Sequence, residues 1–484
     1  MITKMRNFYS ALPITVRATF WFFICAFMQK AIAAISTPIY TRIMNSEQYG
    51  MYNVFVSWQG IFSCIISLNM YGGFYTQGLV KYKDNEKLRF SASLQGLSFT
   101  LSVIWLLIYC VFSKYINCFT SLSTLHTVLM IFIIWATSCF NYWSVAQRVQ
   151  YQYKKLVILT LGSTILSTVL SIIFVILCED KVTARIIAIT VVFCVFYGGV
   201  FVYQLCKGKC FFQRSFWKYA LHFSIPLVPH YLSQIVLNSS DRIMISNMVN
   251  LSSAGIYSLA YSIAQIMMMF NTAMLQTIEP WIYNQIKNNT VTNIRKIAYP
   301  AFTFIAVVNV FLIAFAPEVV RIFAPQEYQA AIWLIPPISM SVFFMFVYSF
   351  FSLFEFYYET TKYIAMATMA GAILNIILNY VFIDMFGYFA ASYTTLVCYI
   401  VYVFFHYLFM NKLVQQYHSN VKVYDIKVLL VLSVGIVVTG FLFMYSYSNI
   451  ILRYFLILLL FLIISINYKK INSIVKMTLA IRKK

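Results

Sequence analysis

Fourteen apolar runs, each about 18–25 residues long, follow one another along the chain, and the first six recur about 205 residues later. As helices, runs of that length match a hydrocarbon core ~30 Å thick. Barrel strands instead alternate and stop near ten residues. The runs cover about 14–37, 51–70, 91–112, 125–146, 156–178 and 183–205, then 219–244, 256–275, 298–315, 331–354, 363–382 and 388–410. Two more, about 428–447 and 449–466, have no counterpart. Asn45-Ser-Glu-Gln-Tyr-Gly-Met-Tyr52 returns as Asn250-Leu-Ser-Ser-Ala-Gly-Ile-Tyr257, and the same offset carries Tyr197 onto Tyr402 and Lys207 onto Lys412. A parallel repeat of this size builds a site between two pseudo-symmetric halves, which points to movement across a bilayer.

Composition agrees. The chain is 62% hydrophobic and 10% charged, against ~45–50% and ~25% for a soluble domain. A net charge of +22 would suit nucleic acid only if a solvated domain displayed it, and no polar stretch exceeds a connecting loop. The basic residues fall between the apolar runs, where they encode topology. Most of the ten cysteines sit inside apolar runs and read as small hydrophobes. Cys206 and Cys210 have no nearby His, so neither a metal site nor a disulfide framework is expected. Lys4 and Arg6 before the first run resemble the start of a signal peptide. Arg17 and Lys30 interrupt its hydrophobic core, so an uncleaved first helix is expected.

With both termini inside, about 27 Lys and Arg fall in cytoplasmic segments and six outside, Arg42, Lys114, Lys181, Arg185, Arg321 and Arg453. Lys30 and Arg242 lie within runs. Glu355 and Glu359 dissent, assigned to the loop after the tenth run with only Lys362 beside them. The expected architecture is an all-α polytopic membrane protein of about 14 transmembrane helices. It has two six-helix lobes, 1–210 and 211–412, related by a parallel pseudo-two-fold repeat. Residues 413–484 would add two helices and a basic cytoplasmic tail.

Pro38-Ile-Tyr-Thr-Arg42 followed by Glu47-Gln-Tyr-Gly-Met-Tyr52 resembles the end of the first helix in Wzx-type polysaccharide flippases. So do Phe223-Ser-Ile-Pro-Leu-Val-Pro-His-Tyr231, Asn238-Ser-Ser-Asp-Arg-Ile-Met-Ile245, Ala254-Gly-Ile-Tyr-Ser-Leu-Ala-Tyr261 and Pro280-Trp-Ile-Tyr283. The resemblance covers essentially the whole chain. That family belongs to the multidrug/oligosaccharidyl-lipid/polysaccharide (MOP) exporter superfamily. The resemblance implies a transporter rather than an enzyme, carrying undecaprenyl-diphosphate-linked oligosaccharide repeat units for O-antigen or capsule. It also implies alternating access in a bacterial cytoplasmic (inner) membrane, and polysaccharide polymerase and chain-length machinery as partners. No cofactor is implied, and coupling to a proton or sodium gradient is open.

A diphosphate with several sugars cannot cross hydrocarbon unaided, because each unpaired polar group costs several kcal/mol there. Cationic groups in a cleft open sideways to lipid would hold the head while the tail stays in the bilayer. Lys30, inside the first run, is one substrate-binding candidate, against a lysine snorkelling along its own stem. Arg242, near the outer end of the seventh run, is another, against a structural ion pair. Arg42 is a third, against simple helix capping. Asp241 and His230 are candidates for ion coupling or a structural pair, and Pro226 and Pro229 for a hinge, since proline removes backbone donors and kinks a helix. Gly50 and Tyr52, like Gly255 and Tyr257, are expected to start helices with their rings at the interface.

Three rivals remain open: a multidrug/cation antiporter of the same superfamily, a peptidoglycan-precursor flippase, and a membrane-embedded polymerase. The plausible intramembrane charges are mostly basic, against the first. No long external loop is present to receive a polymerase acceptor.

Overall fold

The computed structural model describes residues 13–418 and 421–466. Lys4, Arg6 and the basic tail beyond the last run lie outside the described residues. Every regular element described is helical, seventeen α-helices with four short 3-10 segments. The chain divides into two compact units, Met1–Ile243 and Met244–Lys484.

The first unit holds α1 (Ile14–Ile43), α2 (Ser46–Ser67), α3 (Gly73–Lys81), α4 (Asp84–Thr120), α5 (Thr124–Val149), α6 (Tyr153–Leu177), α7 (Lys181–Gly208) and α8 (Arg214–Ser224). It ends inside α9 (Val228–Met248). The second unit continues with α10 (Leu251–Lys287), α11 (Arg295–Ala314), α12 (Ala316–Phe323), α13 (Ile335–Tyr357), α14 (Thr361–Phe386), α15 (Ala390–Tyr417), α16 (Ile426–Tyr445) and α17 (Ile450–Ile466).

Eleven of these helices are long and apolar enough to cross a membrane. The other three expected spans fall short for physical reasons. α2 and α9 are interrupted by polar side chains such as Gln48, Asn53, Gln234, Asn238 and Asp241. The apolar stretch of α17, Ile450–Ile463, is short. The result is a multi-pass, all-helical membrane protein.

The repeated motif starts helices in both units by the same chemistry. The Asn45 side chain accepts from the Gln48 backbone N–H, and Gln48 returns the bond to the Asn45 N–H, closing a capping box. Asn250 caps α10 by accepting from the Ser253 N–H at 2.7 Å. Gly50 and Gly255 follow, buried, one turn in. The tyrosines depart from the expected interface role. Tyr257 is fully buried, and the Tyr52 ring lies against an arginine described below.

Helix ends also differ from the sequence reading. α4 and α10 each run to 37 residues, so Glu279 and Pro280 lie inside α10 rather than in a loop. α13 continues to Tyr357, which takes Glu355 out of the loop and into the core. The seventh run is two helices: α8 ends at Ser224, a 3-10 turn spans Ile225–Leu227, and α9 begins at Val228. Pro226 sits in the turn and Pro229 just beyond it, where their missing donors are tolerated.

In the first unit α3, α4, α5 and α8 share a core around Phe74, Tyr75, Phe90, Tyr142 and Phe216. Gly208 lets the end of α7 approach the α4 backbone at Leu88, with no space for a Cβ. In the second unit Gly371 of α14 lies under the Tyr402 ring of α15 in the same way.

Candidate functional site

The strongest ionic feature of the first unit is Arg185, near the start of α7. Counted from sequence as an outer-segment charge, it is only 9% exposed. Its guanidinium carbon lies 3.5 Å from the Tyr40 ring centroid and 3.5 Å from that of Tyr52. Nη1 also meets Met44 Sδ at 3.8 Å. The plane of an arginine suits such stacking, and desolvation strengthens each cation–π contact to about 2 kcal/mol. Tyr40 ends α1, Tyr52 begins α2 and Arg185 begins α7, so the cation ties three helices together.

Two further cations gather at the C-terminal end of α1. Arg42 Nη1 donates to the Pro38 carbonyl at 2.8 Å and Lys181 Nζ to that of Ile43 at 2.6 Å. Lys181 answers a free terminal carbonyl, and both cations complement the partial negative charge of the helix end. The helix end therefore accounts for the hydrogen bond of Arg42 to the Pro38 carbonyl. The residue remains exposed.

Lys30 stands apart. α1 extends to Ile43, beyond the expected end, which puts Lys30 close to mid-helix rather than toward one end. It is exposed and has no hydrogen-bond or ion-pair partner among the described residues. Residues 30 and 42 are 12 positions apart, ~18 Å along the helix at 1.5 Å each, so Lys30 and Arg42 do not converge.

On α9, adjacent residues point in different directions, as helix geometry requires. Asp241 is buried at 1% exposure while Arg242 is half-buried, with Nη1 donating to the Asn238 carbonyl at 3.1 Å. His230 is half-buried beside the Tyr231 ring. Within the first unit α9 packs on α2, where Gly60 leaves space for Ile235 and Cys64 Sγ points at the Val228 carbonyl.

The second unit holds a pair that sequence reasoning missed. Glu355 of α13 and His406 of α15 are both buried, with Oε1 and Nδ1 2.7 Å apart. A hydrogen bond joins them. Glu355 Oε2 and His406 Nε2 have no partner, and the Tyr348 ring stacks on the imidazole at 5.2 Å. Glu355 was hidden because the apolar run stops one residue before it. The available signal was His406, an ionisable residue inside an apolar run. A second charged contact of this unit joins Arg453 to Glu318, which also accepts from the Tyr454 hydroxyl at 3.0 Å.

Comparison with known proteins places this geometry. The profile of a polysaccharide biosynthesis protein family matches residues 15–285. No curated protein sequence matches the chain. Among solved structures, the inward-closed lipid II flippase MurJ is similar over 92% of this chain and 98% of its own, at 16% identity and TM-score 0.68. An inward-facing multidrug resistance MATE transporter of the MOP superfamily is similar over 80% and 96%, at 12% identity and TM-score 0.58. A MOP superfamily transporter from Pyrococcus furiosus is similar over 83% and 95%, at 12% identity and TM-score 0.56. At these identities the likeness shows the fold. With the profile spanning more than half its length, the chain belongs to the polysaccharide biosynthesis protein family.

Proposed function

We propose that this chain is a flippase, not an enzyme, moving undecaprenyl-diphosphate-linked oligosaccharide repeat units across the bacterial cytoplasmic membrane for O-antigen or capsule assembly. The two repeat lobes, 1–210 and 211–412, alternate access, both termini are cytoplasmic, and a polymerase with its chain-length partners takes up the product. Family membership supports this reading, and Lys30 is the observation that carries it. α1 spans ~45 Å at 1.5 Å per residue, and Lys30 is within ~3 Å of its midpoint. A core ~30 Å thick leaves ~15 Å of hydrocarbon on either side. A lysine stem extends only about 6 Å, so snorkelling does not bring an exposed ammonium there to water. It calls for a polar passage and an anionic partner, which a diphosphate head supplies.

Arg242 is the second head-group cation in this reading, and Arg42 the third at the outer end. Asp241 and His230 carry the ion coupling to a proton or sodium gradient, and the turn at Pro226 and Pro229 is the hinge. The test is deletion of the gene in its native host, followed by assay of surface polysaccharide and of lipid-linked repeat units. Complete units trapped on the cytoplasmic face support flipping. Units accumulating unpolymerised outside indicate a polymerase, and unchanged polysaccharide favours an antiporter. Lys30→Glu exporting normally at normal abundance removes Lys30 from the reading; Lys30→Ala failing and Lys30→Arg working supports it.

The likeness to the MurJ structure favours one alternative, a peptidoglycan-precursor flippase. The same deletion separates the two: surface polymer lost with normal growth supports the first reading, and loss of wall synthesis supports the second.

A further inference from the structure

A cavity of about 740 Å³ opens at one end of the first unit, where four helix termini meet. Lys87 lies in the first turn of α4, Lys155 in the first turn of α6 and Lys207 in the last turn of α7; Gln147 comes from the last turn of α5. No carboxylate lines it. The helix dipole accounts for Lys207, which lies in the last turn of α7 with its ammonium 5.8 Å from the Tyr203 ring centroid. It does not explain Lys155, because a cation in a first turn opposes the helix dipole. Two N-terminal dipoles and three ammonium groups therefore bear on one space. Gln147 is 8% exposed, and its amide oxygen has no partner. Gln204 is held separately, by Gln95 at 2.5 Å.

Beyond the lysines the walls turn apolar, with Ile158 and Leu159 from α6 and Phe196 and Val200 from α7. Gly162 and Gly199 line the same wall, and a Cβ at either would meet nothing within 4 Å. The cavity thus joins a cationic mouth to an apolar groove, the two solvents that a lipid needs. At the repeat offset the counterparts of Lys87, Gln147, Lys155 and Lys207 are Thr292, Ser352, Thr360 and Lys412, so the arrangement belongs to one half.

We infer that this cavity is a site for an anionic bilayer phospholipid whose head carries a phosphodiester and free hydroxyls, as phosphatidylglycerol does. Its phosphate sits among Lys87, Lys155 and Lys207, a head-group hydroxyl donates to Gln147 Oε1, and an acyl chain lies over Gly162 and Gly199. Basic pockets between transmembrane helices bind anionic head groups by this logic. The site is independent of the transported substrate.

The test uses the full-length protein in mixed micelles, with native mass spectrometry counting bound phosphatidylglycerol against phosphatidylcholine. The wild type is expected to retain one phosphatidylglycerol at least tenfold better. Lys87→Gln/Lys155→Gln/Lys207→Gln removes the head-group charges. Gly162→Leu/Gly199→Leu fills the groove into open space without touching charge or core. Both are expected to drop retention to the phosphatidylcholine level with unchanged unfolding temperature. Retention by the lysine variant overturns the proposal. Retention by the glycine variant overturns it too, reducing the lysines to a surface patch. Displacement by an equal mole fraction of undecaprenyl phosphate, or by millimolar inorganic phosphate, overturns the assignment to a bilayer phospholipid.

Discussion

The box around Arg185 in the first unit and its counterpart in the second were built from the same repeat, yet only one holds a charge. Shifting Tyr40, Met44, Tyr52 and Arg185 by 205 positions gives Ile245, Val249, Tyr257 and Ala390. One ring survives, the second becomes isoleucine, and the arginine becomes alanine. Ile245 and Tyr257 are fully buried and Ala390 nearly so. The second unit keeps its buried arginine elsewhere, as Arg453 against the Glu318 carboxylate. The repeat therefore preserves a frame of caps and helix packing, while the charge inside it is not required by that frame. Where charge is kept without a carboxylate, two rings stand in for one.

The severest way to break that comparison is to put the missing charge back. Ala390→Arg inserts a guanidinium where only Tyr257 remains to receive it, and an unpaired buried ion costs several kcal/mol even after relaxation. The expected outcome is loss of folded protein from the membrane, read as abundance and melting in detergent. Adding Ile245→Tyr rebuilds the second ring and is expected to recover part of the loss. No recovery would mean that ring pairs are not what holds Arg185.

Next in size is the Glu355–His406 bond. His406→Leu leaves a buried carboxyl group without its partner, a loss of about 3 kcal/mol, whereas Glu355→Leu/His406→Leu removes both polar groups and is expected to recover most of it. A double-mutant cycle on unfolding in micelles measures the difference. Equal losses in the single and double variants would show that packing around α13 and α15, not the bond, carries the effect. In the first unit Arg185→Met keeps the length of the side chain but gives up its charge, and about 2 kcal/mol is expected. Arg185→Lys should restore less than half, since an ammonium does not stack as a guanidinium does.

These contrasts also mark what the sequence discloses. The start of α2 and of α10 is legible because a cap is local: Asn45 and Asn250 satisfy donors only three residues on. The break before α9 is announced by Pro226, though not the extent of the 3-10 turn. Lys30 and Asp241 stand out as ions in apolar runs, and the structure adds the mid-helix position of the first and the burial of the second. The cage was not legible, because its rings lie 145 and 133 positions before Arg185 (185 less 40, and 185 less 52) and nothing local joins them. Glu355 was hidden for the opposite reason: hydropathy ends at the last apolar residue, while a helix ends where its carbonyls run out of donors. The lipid cavity depends on four helix termini meeting in space, information that no single run contains.

The smallest contrast lies at the helices that carry the repeat's sixth element. α7 is capped by Asp180, whose side chain accepts from the Thr183 N–H at 3.1 Å and from the Thr183 hydroxyl at 2.6 Å. α15 begins after Gly387 and has no side-chain cap. Asp180→Ala should make α7 resemble α15 at a loss of about 1 kcal/mol. Asp180 and His418 should also answer acid in different windows. Partial burial acts to raise the Asp180 pKa, but the hydrogen bonds from Thr183 outweigh it and hold the carboxyl below its usual value. Its contribution is then present above the ordinary carboxylate range and is lost only as pH falls through that lowered value. In the second unit burial lowers the pKa of His418, whose Nε2 lies 2.6 Å from the Tyr358 hydroxyl. The unfolded chain binds that proton first, so this contribution is present above about pH 6.5 and declines as pH falls toward the lowered value. Melting curves from pH 8 to 5 should therefore flatten in His418→Gln and keep their slope in Asp180→Ala. The reverse pattern would place the mild-acid sensitivity at Asp180 rather than at His418.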